Sequence, residues 1–222
     1  MSKCTSDWIL TIDADEYLSD GFIEKARKEI EKAGTFKTIN CNVLSVDGKQ
    51  RHYQPRLYKR CSEVFWKGKI HNYLSVSENN QSDLVLYYGY SQAHQADPNR
   101  ALRILKAVVE KDKNVIREKF YLAREYSYRK NWIKALYWSS EYVKVGWWGP
   151  EIAENYLLMA RCLWNLQRGS EARDALWQAI KINADFKEAL EFMAEMSGPK
   201  NKKRWLLYSQ SASNQDVLFL RK

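Results

Sequence analysis

Four carboxylates crowd around a short apolar run near the start of the sequence: "DWILTIDADEYL", residues 7–18, holds Asp7, Asp13, Asp15 and Glu16. If "WILTI" is a strand, Asp13 and Asp15 stand two apart at its carboxyl end and point to one side. That end is where open α/β sheets bind ligands. Two nearby carboxylates repel each other unless a cation or a donor lies between them. Oxygen-only ligation suits Mg²⁺ or Mn²⁺, which in turn clamp a diphosphate. The plainer alternative is a capping cluster, with Asp13 or Asp15 capping a turn and Asp20 the next helix.

The elements that must position these acids come first in the chain. "WILTI" is apolar throughout, as expected of a strand buried on both faces of a sheet. "SDGFIEKARKEIEKAG" reads as a helix, capped by Ser19 or Asp20 and stopped at Gly34. "FKTINCNVLSV" and "QRHYQPRLYKR" read as strands joined by a turn at Asp47-Gly48. "VFWKGKIHNYLSV" reads as one further strand alternating around Gly68, and "SDLVLYYGYS" as a short last one.

From Asp97 the periodicity is wholly helical, with Asp97-Pro98 expected to cap and open a helix. "NRALRILKAVVEKDK" carries Ala101, Leu102, Leu105, Val108 and Val109 on one face. Residues 119–142 and 156–180 then resemble each other. Aligning Ala123 with Ala160 also aligns Ala135 with Ala172, at a shift of about 37 against the usual tetratricopeptide period of about 34. Leu122, Tyr126, Tyr156 and Ala179 fall at further positions of that repeat, and the extra residues fit the connection "VGWWGPE". A third, degenerate hairpin is expected from Phe186 to about Ala212, broken by "SGPKNKK".

The front of the chain also carries a resemblance. "DWILTIDADEYL" resembles the DxD strand of family-2 glycosyltransferases with the GT-A fold. "QPRLYKR" followed by "VFWKGKIHNYL" is similar to that family's segment ending in Trp-x-Gly-x-Ile/Val-His-Glu, and "YYGYS" to its His-x-Gly-Tyr strand. The resemblance implies sugar transfer from a nucleotide-sugar donor to an acceptor protein, peptide or glycan. Asp13, Asp15 and His71 would hold Mn²⁺ or Mg²⁺, with Arg56 joining the two aspartates on the donor diphosphate. His71 and Glu16 would be catalytic, and Trp66 and Gly68 would shape the acceptor side. Two positions depart from the pattern: Asn72 replaces a Glu, and Tyr87 replaces a His. The family's nucleotide-binding βα units would precede the DxD strand, yet only Met1 to Ser6 stand there, so a truncated domain is expected.

The expected fold class is therefore α+β. A partial GT-A domain over 1–96 lacks its N-terminal nucleotide-binding half, and an all-α, tetratricopeptide-like hairpin array follows over 97–222. Residues 1–96 hold 13 Lys/Arg against 12 Asp/Glu, whereas residues 97–222 hold 23 against 15. The basic excess of the second half reads first as a solvated helical face, and otherwise as attraction for an acidic partner or an anionic surface. It comes without an RNA-binding signature, so no nucleic-acid partner is expected. The scattered Cys4, Cys41, Cys61 and Cys162 read as structural thiols. With no membrane-length apolar run and no signal-peptide pattern, a cytoplasmic location is expected. The competing reading is a non-catalytic tetratricopeptide-type binding module, gripping an acidic peptide, a protein partner or a second copy through its repeats and Trp147 and Trp148.

Overall fold

The computed structural model describes residues 3–48, 51–68, 72–76, 78, 80–89 and 97–213, and divides the chain into two units meeting at Pro98 and Asn99. In the first unit five strands form one sheet: β1 (Trp8–Leu10), β2 (Glu16–Leu18), β3 (Thr38–Ser45), β4 (Arg51–Lys59) and β7 (Gln81–Tyr88). Their spatial order is β1-β4-β3-β7-β2. The pairs β1–β4, β3–β4 and β2–β7 are antiparallel, and β3–β7 is parallel.

The "WILTI" run therefore does not sit where its composition suggests. Only Ile9 of β1 is buried; the strand is three residues long and lies at one edge, antiparallel to β4. The parallel, doubly buried strand of the GT-A expectation is corrected to a short edge strand. β2 lies at the opposite edge, so residues 11–15 carry the chain from one side of the sheet to the other.

Helix α1 (Phe22–Lys32) covers the sheet with Phe22 and Ala26 among its buried residues. These join Ile39, Cys41, Leu57, Leu84 and Leu86 in the core of this unit. Its N-terminus is not capped by Ser19 or Asp20: Gly21, at φ 67°, occupies the cap with no side-chain bond. Gly34, at φ 55°, turns the chain after the helix. Within "VFWKGKIHNYL" two short strands pair antiparallel in place of the one expected strand, β5 (Trp66–Lys67) against β6 (Tyr73–Leu74). The break falls at Gly68, whose φ of 83° favours a residue without a Cβ.

The second unit is a helical-repeat array. An opening helix, α2 (Arg100–Lys111), starts after Asn99 rather than at Asp97-Pro98 and buries Leu105 and Val109. Three hairpins follow: α3 (Arg117–Tyr128) with α4 (Trp132–Val143), α5 (Gly149–Asn165) with α6 (Gly169–Ile182), and α7 (Lys187–Glu195) with α8 (Pro199–Ser211). Ala123, Ala135, Ala160, Ala172 and Ala179 have no exposed surface, so paired backbones approach where a larger side chain would collide. Ala194, also fully buried, falls about one 34-residue period after Ala160. "SGPKNKK" does not break the third hairpin; Gly198 and Pro199 form its turn and open α8.

Candidate functional site

The acidic loop is closed by a guanidinium. Arg56, 4% exposed on β4, reaches across with Nη2 to Asp13 Oδ2 (2.7 Å) and to Glu16 Oε1. Glu16 Oε2 in turn accepts the Asp13 backbone N–H (3.0 Å), and Glu16 N–H donates to the Asp13 carbonyl (3.0 Å). The Glu16 side chain is 3% exposed and that of Asp13 is 61% exposed. The buried charge pair is thus Arg56 with Glu16, while Asp13 adds an outer, solvated contact.

Asp13 and Asp15 do not stand on a strand. β1 ends at Leu10, and residues 14–15 form a turn, so the same-side rule does not bring the two carboxylates together. The Asp15 carbonyl accepts the Gly89 N–H (3.0 Å), which fastens the turn beside the end of β7. Of the expected metal ligands, Asp13 accepts from Arg56. Among the described residues no group of three or more His, Cys, Asp and Glu could hold a metal ion. His71, the third expected ligand, lies outside the described residues.

The expected acceptor residues are positioned by packing. Trp66 meets Tyr58 edge-on at 6.0 Å between ring centroids and lies against the cluster of Ile9, Val64 and Leu74. Gly68 follows β5 directly with a left-handed backbone.

In the second unit the first helix of each hairpin carries a stripe of rings and charges. On α3, Arg117, Tyr121, Arg124 and Tyr128 follow each other at helical spacing. Arg124 lies over the rings of Phe120, Tyr121 and Tyr128 at 5.6–5.7 Å. On α5 and α7, Arg161 and Trp164 face Glu188, Glu191, Phe192 and Glu195 around a cavity of about 290 Å³. Arg161 and Glu188 pair at 3.7 Å, and Trp164 meets Phe192 edge-on.

Between α3 and α5 a buried network holds the longer connection. Glu151, 1% exposed, accepts from Arg117 Nε (2.8 Å) and from the Tyr142 hydroxyl (2.8 Å). Burial, reinforced by Glu151, pushes the Tyr142 phenol well above its ordinary range. Gly146 packs against the Tyr142 ring so closely that a Cβ would lie 2.8 Å from it. Trp147 and Trp148 are exposed beside this turn, and Arg117 lies over the Trp148 ring at 5.8 Å. Sequence reading marked the two tryptophans but missed Arg117, Tyr142 and Glu151. The only signal was an acid and a tyrosine nine residues apart around two glycines.

No family model and no curated relative matches the chain. Similar solved structures are tetratricopeptide proteins. A MamA double mutant, RS-1 ArsTM, has TM-score 0.49 and 14% identity, covering 54% of this chain and 68% of that one. MamA from Desulfovibrio magneticus RS-1 has TM-score 0.46 and 15% identity, covering 54% and 67%. YrrB, described as a TPR protein with an unusual peptide-binding site, has TM-score 0.46 and 14% identity, covering 55% and 63%.

These findings correct the glycosyltransferase expectation. No family model matches, and none of the solved structures named above is a glycosyltransferase. The sugar-transfer activity, the nucleotide-sugar donor and the partial GT-A domain go with it. Among the described residues no helix is long and apolar enough to cross a membrane.

Proposed function

We propose that the chain is a non-catalytic protein-binding module whose helical repeats hold a peptide segment along the first helices of the three hairpins. One observation carries this reading: those helices present rings interleaved with charges, basic on α3 (Arg124) and acidic on α7 (Glu188, Glu191, Glu195). Aromatic and Arg side chains are the residue types that dominate binding energy at protein interfaces. The charge order selects a segment whose acidic part meets α3 and whose basic part meets α7. Such a partner gains orientation as well as affinity.

A peptide array probed with the full chain tests this. Peptides with an acidic half followed by a basic half should be retained over scrambled ones of the same composition. Arg124→Glu and Glu191→Lys should each weaken retention, and each should be answered by reversing the facing charge in the peptide. Retention indifferent to both substitutions would sink the reading.

A further inference from the structure

A larger cavity than the one beside Arg161 lies on other helices. It occupies about 620 Å³ between the second helices α6 and α8, with Met193 of α7 buried beneath it. Its walls carry Arg173 and Trp177 from α6 and Arg204, Trp205 and Tyr208 from α8. Trp177 meets Trp205 edge-on at 5.3 Å, and Trp205 meets Tyr208 at 5.7 Å, so the three rings form a ladder along one wall. That volume is in the range of sites that enclose a ligand group.

The charge around the cavity is of one sign. No carboxylate lines it. Helix α8 holds Lys200, Lys202, Lys203 and Arg204 and contains no Asp or Glu. Arg204 makes no ion pair with a described residue, and Arg173 gives only a long bond to the Met196 carbonyl (3.4 Å). Like charges held this close on one helix repel, and nothing in the helix compensates them. An anion from outside relieves that repulsion, while the ring ladder favours an apolar or aromatic group next to it.

From this we infer that the α6–α8 cavity is a second docking site, which takes an acidic peptide segment bearing an aromatic side chain. The aromatic group enters over Met193 and the ring ladder, and its flanking carboxylates meet Arg173 and Arg204 as charge-assisted pairs. A single-stranded nucleic acid fits less well. Its binding needs ring faces laid out for successive bases along a basic track. Here the rings meet edge-to-face around one compact cavity rather than along a track. The inference is independent of the first-helix site, since the two share no residue.

The test uses the full chain and three fluorescent probes: the peptide EDEWDE, the same peptide with Trp replaced by Ala, and a short oligouridylate. Binding is read by anisotropy at low salt, with circular dichroism to confirm folding of each variant. The expected result is that EDEWDE binds and that Arg173→Glu and Arg204→Glu each weaken it about tenfold or more. Trp177→Ala, at a site already 41% exposed, should weaken it as well. The Ala peptide should bind more weakly than EDEWDE, and the charge reversal Lys28→Glu on α1, at an exposed residue of neither site, should leave binding unchanged. EDEWDE binding that ignores both arginine reversals, no binding at all, or tighter binding of the oligouridylate would overturn the inference. Loss with Arg124→Glu but not with the cavity variants would place the acidic peptide at the first-helix site instead.

Discussion

In the first unit Arg56 is almost wholly buried and its guanidinium is matched to Glu16 and Asp13, whereas in the second Arg173 and Arg204 stand at an open cavity without a carboxylate in its lining. The same residue type thus does two jobs. A buried guanidinium with its counter-charge at hydrogen-bond distance holds the loop in one arrangement, and its charge is already answered. Exposed guanidiniums without such a counter-charge leave their donors available to another molecule. A cluster of acids in sequence can thus be answered from within the chain, by an arginine far downstream. A cluster of cations that the fold leaves unanswered is better evidence for a partner.

The comparison breaks most readily at Arg56. Arg56→Met leaves Glu16 buried and charged, and should cost about 3–5 kcal/mol in denaturant unfolding of the first unit. Adding Glu16→Leu should recover much of that loss. If the single variant is as stable as the parent, the pair is not a closed clasp and the contrast between the units fails. In the repeat unit, Ala160→Leu forces a larger side chain into a contact with no exposed surface. It should cost about 1–3 kcal/mol, read from the melting of the helical signal. Tyr142→Phe removes one donor from buried Glu151 and should cost about 1–2 kcal/mol.

A smaller effect separates core thiols from surface ones. Burial raises Cys41 and Cys162 from 9.0 to about 12, while Cys4 and Cys61 are exposed. Because the folded chain holds these protons more tightly, their contribution is complete below pH 9 and is lost as pH rises towards 12. Each thiol should cost about 1 kcal/mol of stability by pH 10, measured as a falling melting temperature. At pH 8 a thiol reagent should label Cys4 and Cys61 promptly and leave the other two unlabelled until the chain unfolds. Smallest of all is Asp13→Asn, where a solvated contact worth about 0–1 kcal/mol is removed. Millimolar Mn²⁺ should leave the melting temperature of parent and variant alike, and a metal-dependent rise abolished by Asp13→Asn would restore a cation to the loop.

Much of the second unit was legible in the sequence because its signals are local. Small residues at Ala123, Ala135, Ala160 and Ala172 mark the close helix contacts, and each is fully buried. Gly34 ends a helix that periodicity alone outlines. The first unit was less legible because its pairings are distant. Nothing within "DWILTIDADEYL" says that its strand will lie at an edge against β4, or that Arg56 will close on Glu16. The motif order there matched a familiar pattern while the pairing did not follow it. The α6–α8 cavity was invisible for a similar reason: Trp177 and Trp205 become neighbours only after two hairpins have stacked. "SGPKNKK", read as an interruption, supplies Ser197, Gly198 and Asn201 to its lining.

The position of β1 and β2 at opposite edges of the sheet also bears on the order of folding. Trp8 pairs with Lys59, and Glu16 with Tyr88, so neither strand finds its partner until the chain beyond it has been organised. Pairings that close such long loops form late in a folding reaction. The Arg56–Glu16 clasp should therefore be absent from the transition state, so that losing it quickens unfolding while refolding keeps its pace.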